Sequence, residues 1–122
     1  MGELVEVLKA DLFGATVLKV TGDVDHGSAL TLEEYVQASL GANGSHLLVD
    51  LAECPYMDSG GVSVLLYAVR EVRGKGWIGV IAPSGNLLRL FEITGLTGDP
   101  SFRAFANSDE ATAALERDTT DA

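Results

Sequence analysis

The chain has 122 residues, of which 47% are hydrophobic and 21% charged, a composition typical of one folded domain and not of a disordered segment. The formal net charge is −10, from 18 acidic and 8 basic residues, which argues against nucleic acid or an anionic membrane as a partner because phosphate binding needs clustered lysine and arginine. One cysteine, Cys54, and no apolar run near the roughly 20 residues of a spanning helix favour a soluble, cytoplasmic protein.

The first third of the chain predicts a β-hairpin followed by a helix. Residues 4–8 and 16–20 are short β-branched runs, and Gly14 lies near the turn between them. The helix is indicated by apolar residues at helical spacing, namely Leu32, Tyr35, Val36 and Leu40. Three residues that favour a helix end follow, namely Gly41, Asn43 and Gly44.

The rest of the chain alternates between strand and helix patterns. Buried strands are predicted at residues 47–51 and 77–82. The helix between them carries one apolar face and ends near Gly74 and Gly76, and that face comprises Val62, Leu65, Leu66, Val69 and Val72. A third helix is striped by Leu87, Leu90 and Phe91 and ends at Gly95. Asn107 and Glu110 form a capping box for a last helix packed by Ala111, Ala114 and Leu115.

This order, β-β-α-β-α-β-α-(β)-α, predicts an α/β fold with a mixed sheet of four to five strands and about four helices. Strands separated by helices form parallel pairs, and the initial hairpin adds an antiparallel edge. We expect one domain over residues 3–118 and a flexible tail over residues 119–122, with fraying from Asp118 onward. Trp77 is expected to pack in the core, and Cys54 to be a small buried residue.

Three loops are expected to meet at the edge of the sheet where the parallel strands end, which is where ligand and partner sites of open α/β sheets lie. We call residues 21–28 the first loop, residues 54–61 the second loop and residues 83–86 the third loop. Each leaves a strand and enters a helix.

Ser59 lies where the second loop becomes a helix. Its hydroxyl is expected at the positive end of the helix dipole, and Gly60 and Gly61 leave room for another molecule. A phosphoryl group there would add a charge of about −1.5 to −2 near Asp23, Asp25 and Asp58. The residues alone also fit a simple helix cap, since serine and aspartate are favoured caps.

A chain-wide resemblance favours the switch. The run LVDL at residues 48–51, then MDSGG at residues 57–61 and an amphipathic helix, resembles the signature of the STAS domain, and most closely that of bacterial anti-sigma factor antagonists. VTGDVD at residues 20–25 resembles the Gly-Glu-Leu-Asp turn of that family, and LRLFEITGL at residues 88–96 resembles its third helix and closing Thr-Gly-Leu. Asp23 stands where glutamate is usual, and Gly60 where a second small hydroxyl residue is common.

The resemblance implies a partner switch and no enzyme activity of the chain's own. The unphosphorylated protein would bind an anti-sigma factor that is also a serine kinase and so free a sigma factor. The kinase would phosphorylate Ser59 with its own ATP, and a serine phosphatase would reset the switch. The expected partner-binding residues are Asp23, Asp25, Ser28, Met57, Asp58, Gly60, Gly61 and Ser84. No cofactor and no metal site are expected.

Three other functions fit parts of the sequence. The chain could be a non-switching STAS subunit, acting as a scaffold in a signalling assembly or as a transporter accessory. A small hydrolase using Ser59 lacks an evident base, although His26 lies on the same predicted surface. A receiver domain phosphorylated on Asp50 is rejected, because the chain has no acidic pair after its first strand and no lysine after its last. Asp50 is expected at a strand end or facing a helix.

Overall fold

The computed structural model describes residues 5–43 and 46–120 of the chain, and this part begins with the predicted hairpin. Strands β1 (Glu6–Leu12) and β2 (Ala15–Thr21) pair antiparallel from Glu6 opposite Thr21 to Leu12 opposite Ala15. Phe13 and Gly14 form the turn with φ of 50° and 85°. Two positive φ angles suit a two-residue hairpin, because that turn matches the strand twist. Leu4, expected in the first strand, lies outside the described residues.

The remaining elements follow the predicted order. They are α1 (Ala29–Asn43), β3 (His46–Glu53), α2 (Ser59–Val72), β4 (Trp77–Ile81), α3 (Gly85–Ile93), a short 3-10 helix (Leu96–Gly98), β5 (Phe102–Phe105) and α4 (Ser108–Thr120). The sheet order is β1-β2-β3-β4-β5, and every pair after β1–β2 is parallel. The predicted mixed sheet with four helices is confirmed. The helix stop was predicted at Gly41, Asn43 and Gly44; α1 continues through Gly41 to Asn43, and Gly44 lies outside the described residues.

Each strand directs alternate side chains to opposite faces of the sheet. Three helices cover one of these faces. Leu47, Val49 and Leu51 of β3 pack on this face with buried residues of α1, α2 and α3. The fully covered helix residues include Leu32, Val36, Leu65, Val69, Leu87 and Phe91. No helix in the described part of the chain is long and apolar enough to cross a membrane.

Helix α4 covers the opposite face around Trp77, which is 3% exposed as predicted for a core residue. The Trp77 ring stacks on His46 and meets Phe105, with ring centroids 4.6 and 5.6 Å apart. Its indole Nε1–H donates a hydrogen bond to Asp118 of α4. The expectation that Asp118 frays is therefore wrong, because its carboxylate fixes the helix to the sheet. The helix includes residues 119 and 120, and residues 121 and 122 lie outside the described part.

Helix ends follow the predicted signals with one difference. Gly95 takes a left-handed φ of 86° just beyond α3, a backbone conformation that glycine adopts without steric cost. Asn107 accepts a hydrogen bond from Glu110 N–H at 3.0 Å, which is half of the predicted capping box. The Glu110 carboxylate reaches back to Ala106 N–H at 2.9 Å, one residue earlier than in the standard motif.

Candidate functional site

The first and second loops are joined by main-chain hydrogen bonds that continue the pairing of β2 and β3 beyond the sheet. Val24 N–H donates to Tyr56 O at 3.0 Å, and Asp58 N–H donates to Val24 O at 3.0 Å. Val24 and Met57 thus form an isolated parallel bridge, and both side chains are buried. The two loops therefore form one continuous surface.

Helix α2 begins directly on this bridge because Gly61 has no side chain. A Cβ atom at Gly61 would overlap the Met57 side chain and would lie 2.9 Å from Cγ1 of Val24. The absence of a side chain lets the first turn of α2 approach both loops closely. This close packing at Gly61 also fixes the positions of the two preceding residues, Gly60 and Ser59.

Asp58 caps α2 and also contacts the first loop. Its Oδ1 accepts the Gly60 N–H at 2.8 Å, the usual role of an N-cap aspartate. Its Oδ2 accepts the His26 N–H at 3.1 Å, and the His26 imidazole Nδ1 lies 3.9 Å from the same oxygen. One carboxylate therefore holds two elements that are distant in sequence.

Ser59 is the first residue of α2, where the second loop was predicted to become a helix, and its side chain is exposed. Among the described residues its hydroxyl has no hydrogen-bond partner, whereas its carbonyl accepts the Ser63 hydroxyl at 2.9 Å. An exposed hydroxyl at a helix N-terminus is accessible to another protein, and a negative group placed there is favoured by the helix dipole. The hydroxyl is therefore chemically available for phosphorylation.

Asp25 and Ser28 hydrogen-bond each other reciprocally in the turn that precedes α1. Asp25 Oδ1 accepts the Ser28 N–H at 2.9 Å, and the Ser28 Oγ accepts the Asp25 N–H at 3.0 Å. The hydrogen bond from the Ser28 side chain, followed by that from its backbone, lowers the pKa of Asp25 below its ordinary value. The first loop therefore keeps this negative charge to a lower pH than a carboxylate with the ordinary aspartate pKa would.

Ser28→Ala is expected to raise the pKa of Asp25 toward its ordinary value, because the largest cause of the lowered pKa is removed. A lowered pKa in the folded state stabilises the loop above the unfolded pKa, and this contribution is lost as the pH falls through the folded value. Carboxyl carbon shifts followed by NMR between neutral and strongly acidic pH measure the change. Ser63→Ala is the control and should leave the Asp25 titration unaltered. An unchanged Asp25 titration in Ser28→Ala would contradict the assignment.

The third loop lies at the same edge of the sheet, next to the base of the second loop. Ser84 is exposed, and its hydroxyl caps α3 by accepting the Leu87 N–H at 3.2 Å. Ser84 shares a cavity of about 410 Å³ with Glu53 and Pro55, at the base of the second loop. The structure thus brings the first and second loops into direct contact and places the third loop beside them.

The expected partner-binding residues divide by exposure. Asp25 and Ser84 are exposed, and Asp23, Ser28, Asp58 and Gly60 are half-buried. Met57 is 3% exposed and Gly61 is buried, so they support the surface from beneath.

Two exposed side chains of this region were not among the predicted partner-binding residues. Tyr56, which is 51% exposed, precedes the Met57 bridge residue, and Leu30, which is 62% exposed, lies in the first turn of α1. Tyr56 was identifiable as an aromatic residue within the second loop. Leu30 was not, because its exposure depends on the rotation of α1. Both add apolar contact area beside the acidic loops, the composition found at the centre of protein interfaces.

The other candidate residues have structural surroundings. Cys54 is buried as predicted, and burial raises the pKa of its thiol, which keeps it protonated at neutral pH. Asp50 lies within β3 opposite Lys19, not at a strand end, and its Oδ1 accepts the Ala52 N–H at 3.0 Å. Within the described residues neither His26 nor His46 hydrogen-bonds to the Ser59 hydroxyl.

The mixed sheet has five strands and begins with a hairpin. An exposed serine begins the second helix, next to an acidic loop that is hydrogen-bonded to the loop preceding that helix. Together these features define a STAS-type domain. The family model described as "Mlab, STAS domain" matches residues 9–104. The chain belongs to the STAS domain family.

Several proteins similar to this chain are named anti-sigma factor antagonists. The anti-sigma-B factor antagonist of Listeria monocytogenes is 35% identical over 79 residues, which cover 64% of this chain and 69% of that protein. The anti-sigma-F factor antagonist RsfB of Mycobacterium tuberculosis is 28% identical over 107 residues, covering 88% and 86%. An anti-sigma factor antagonist structure from Mycobacterium paratuberculosis superposes with a TM-score of 0.82 at 26% identity, covering 92% and 94%.

Proposed function

We propose that this chain is an anti-sigma factor antagonist whose binding is switched by phosphorylation of Ser59. Unphosphorylated, it docks through the first and second loops on an anti-sigma factor that is also a serine kinase, and the sigma factor is released. The kinase transfers the γ-phosphoryl group of its ATP to the Ser59 hydroxyl, the hydroxyl proton leaves, and ADP is formed. A serine phosphatase removes the phosphate by hydrolysis.

The exposed position of Ser59 carries this proposal. The hydroxyl stands at the start of α2, directly after the Asp58 cap and beside the first loop, which Asp58 and the Val24–Met57 bridge hold in place. A kinase can therefore reach the hydroxyl while contacting both loops. The similar anti-sigma factor antagonists of Listeria monocytogenes and Mycobacterium tuberculosis support the assignment of the partner class.

Charge explains why phosphorylation would release the partner. The chain carries a net charge of −10, and Asp58 and Asp25 already contribute negative charge near Ser59. Phosphate adds a further charge of about −1.5 to −2 and strong hydration at the centre of the contact with the partner. In the closed interface the phosphate would be desolvated beside the Asp58 and Asp25 carboxylates, and this desolvation and like-charge repulsion weaken the complex.

Intact mass spectrometry tests the modification. After incubation with ATP and a candidate anti-sigma factor kinase from the same genome, the wild-type chain should gain the mass of one phosphate. Ser59→Ala should gain none. Ser63→Ala, one turn further along α2 and also exposed, is the matched control and should gain one phosphate like the wild type.

Binding to the same kinase tests the switch. Ser59→Asp is expected to bind at least about tenfold more weakly than the wild type, because a second carboxylate desolvated beside Asp58 in the interface costs more than about 1.4 kcal/mol. Equal affinity of Ser59→Asp and the wild type would disprove a charge switch. A wild type that binds the partner without gaining phosphate would identify a non-switching STAS subunit. Ester hydrolysis that is lost in Ser59→Ala would identify a hydrolase.

A further inference from the structure

The Asp58 carboxylate does more than cap a helix. Oδ1 is occupied by the Gly60 N–H of α2, and Oδ2 is occupied by the His26 N–H of the first loop, 32 residues away in sequence. An N-cap needs only one acceptor oxygen. The second oxygen therefore serves a different purpose, which is to hold residue 26 against the N-terminus of α2.

The space around Gly60 is already filled by this contact. A Cβ atom at Gly60 would lie 3.1 Å from Oδ1 of Asp58, 3.2 Å from Cα of His26 and 3.4 Å from Cβ of Ala29. The first two distances are shorter than ordinary carbon contacts. The backbone of the first loop thus packs where a side chain of residue 60 would stand.

We propose that Asp58 is a positioning residue and that its contact with His26 fixes the first loop in its docking position beside Ser59. The absence of a side chain at Gly60 lets the first loop pack closely at this point. This inference rests on the proposed function, and it adds which contact holds the first loop in place beside Ser59. Upstream of it, the Val24–Met57 bridge holds the loop at residue 24. The Asp58–His26 contact holds the next stretch, which carries Asp25, at a second point.

Two substitutions break the contact by independent routes. Asp58→Asn has a single acceptor oxygen and can accept from only one of the two N–H groups, and asparagine caps helices as well as aspartate does. Gly60→Ala keeps every charge but introduces the close approach to His26. Gly27→Ala is the matched control, because its Cβ would meet only Oδ1 of Asp25 at an ordinary distance of 3.6 Å.

Amide hydrogen exchange on the isolated protein measures directly whether the Asp58–His26 hydrogen bond protects the His26 N–H. In Asp58→Asn and Gly60→Ala the His26 N–H is expected to exchange about tenfold faster than in the wild type, whereas Gly27→Ala should leave it unchanged. The Gly60 N–H should remain protected in Asp58→Asn. If the Gly60 N–H exchanges faster in Asp58→Asn while the His26 N–H does not, asparagine has kept the His26 contact and lost the helix cap. The His26 exchange rate in Gly60→Ala then decides whether the contact exists. Unchanged His26 exchange in both variants would overturn the contact.

Binding and phosphorylation assays with the kinase test the positioning role of Asp58. Both variants are expected to bind the kinase about tenfold more weakly, the equivalent of one charge-assisted hydrogen bond, and to raise KM for phosphorylation of Ser59 with kcat within about twofold of the wild type. The agreement of Gly60→Ala with Asp58→Asn separates positioning from loss of charge. Faster His26 exchange with unchanged KM in both variants would overturn the positioning role. A wild type that neither binds nor is phosphorylated would refute the proposed function, and the exchange data would still decide the contact.

Discussion

Trp77→Ala is expected to lower the free energy of unfolding by about 3–5 kcal/mol, the range for truncating a buried aromatic residue. Trp77 is 3% exposed at the start of β4, between His46 and Phe105. Arg103 lies over the ring with its guanidinium carbon 4.8 Å from the centroid. The substitution removes these contacts together with the hydrogen bond to Asp118, which fixes α4. Urea unfolding followed by circular dichroism measures the loss.

Trp77→Phe is the matched control because it keeps an aromatic ring and loses the indole donor. Its expected cost is about 1–2 kcal/mol, since Asp118 is partly exposed and can be hydrated instead. Amide exchange in α4 should increase in both variants, and more in Trp77→Ala. A loss below about 1.5 kcal/mol for Trp77→Ala would show that α4 is held on the sheet by other contacts.

Gly61→Ala is the second large effect, with an expected net destabilisation of about 1–3 kcal/mol. The added methyl group would overlap Met57 and crowd Val24, so the start of α2 has to move away from the bridge between the two loops. The higher helix propensity of alanine offsets about 0.5–1 kcal/mol of this cost. Urea unfolding of the variant and the wild type measures the difference.

Gly85→Ala provides the control, since it makes the same change in the first turn of α3, where a Cβ would meet nothing within 4 Å. It should gain the propensity term without the packing cost and be stabilised by about 0.5–1 kcal/mol. A Gly61→Ala variant as stable as Gly85→Ala would contradict the close packing of α2 on the bridge.

The elements were predictable because their signals are local. Gly14 at the hairpin turn and Gly95 after α3 both take positive φ angles, which no neighbour in space has to impose. Apolar spacing identified the buried faces of α2 and α3 for the same reason. Ser59 was also found at its place, as the first residue of a helix behind a capping aspartate.

What the sequence did not predict depends on contacts between distant residues. The Val24–Met57 bridge and the second contact of Asp58 join loops more than thirty residues apart. Ala82 has a left-handed φ of 55° although it precedes a proline, which ordinarily favours extended backbone. Its N–H donates to Phe105 O at 2.8 Å, so pairing with β5 outweighs the local preference. Asp118 looked like a frayed polar end until Trp77 was placed beside it.

The main-chain bridge between the first and second loops has a consequence for binding kinetics. Loops that are hydrogen-bonded to each other in the free protein lose little conformational entropy when a partner docks, because their ordering has already occurred during folding. Association then needs only correct orientation of the two surfaces. We therefore expect a modification on this surface to act mainly on the lifetime of the complex, and to leave the shape of the surface itself unchanged.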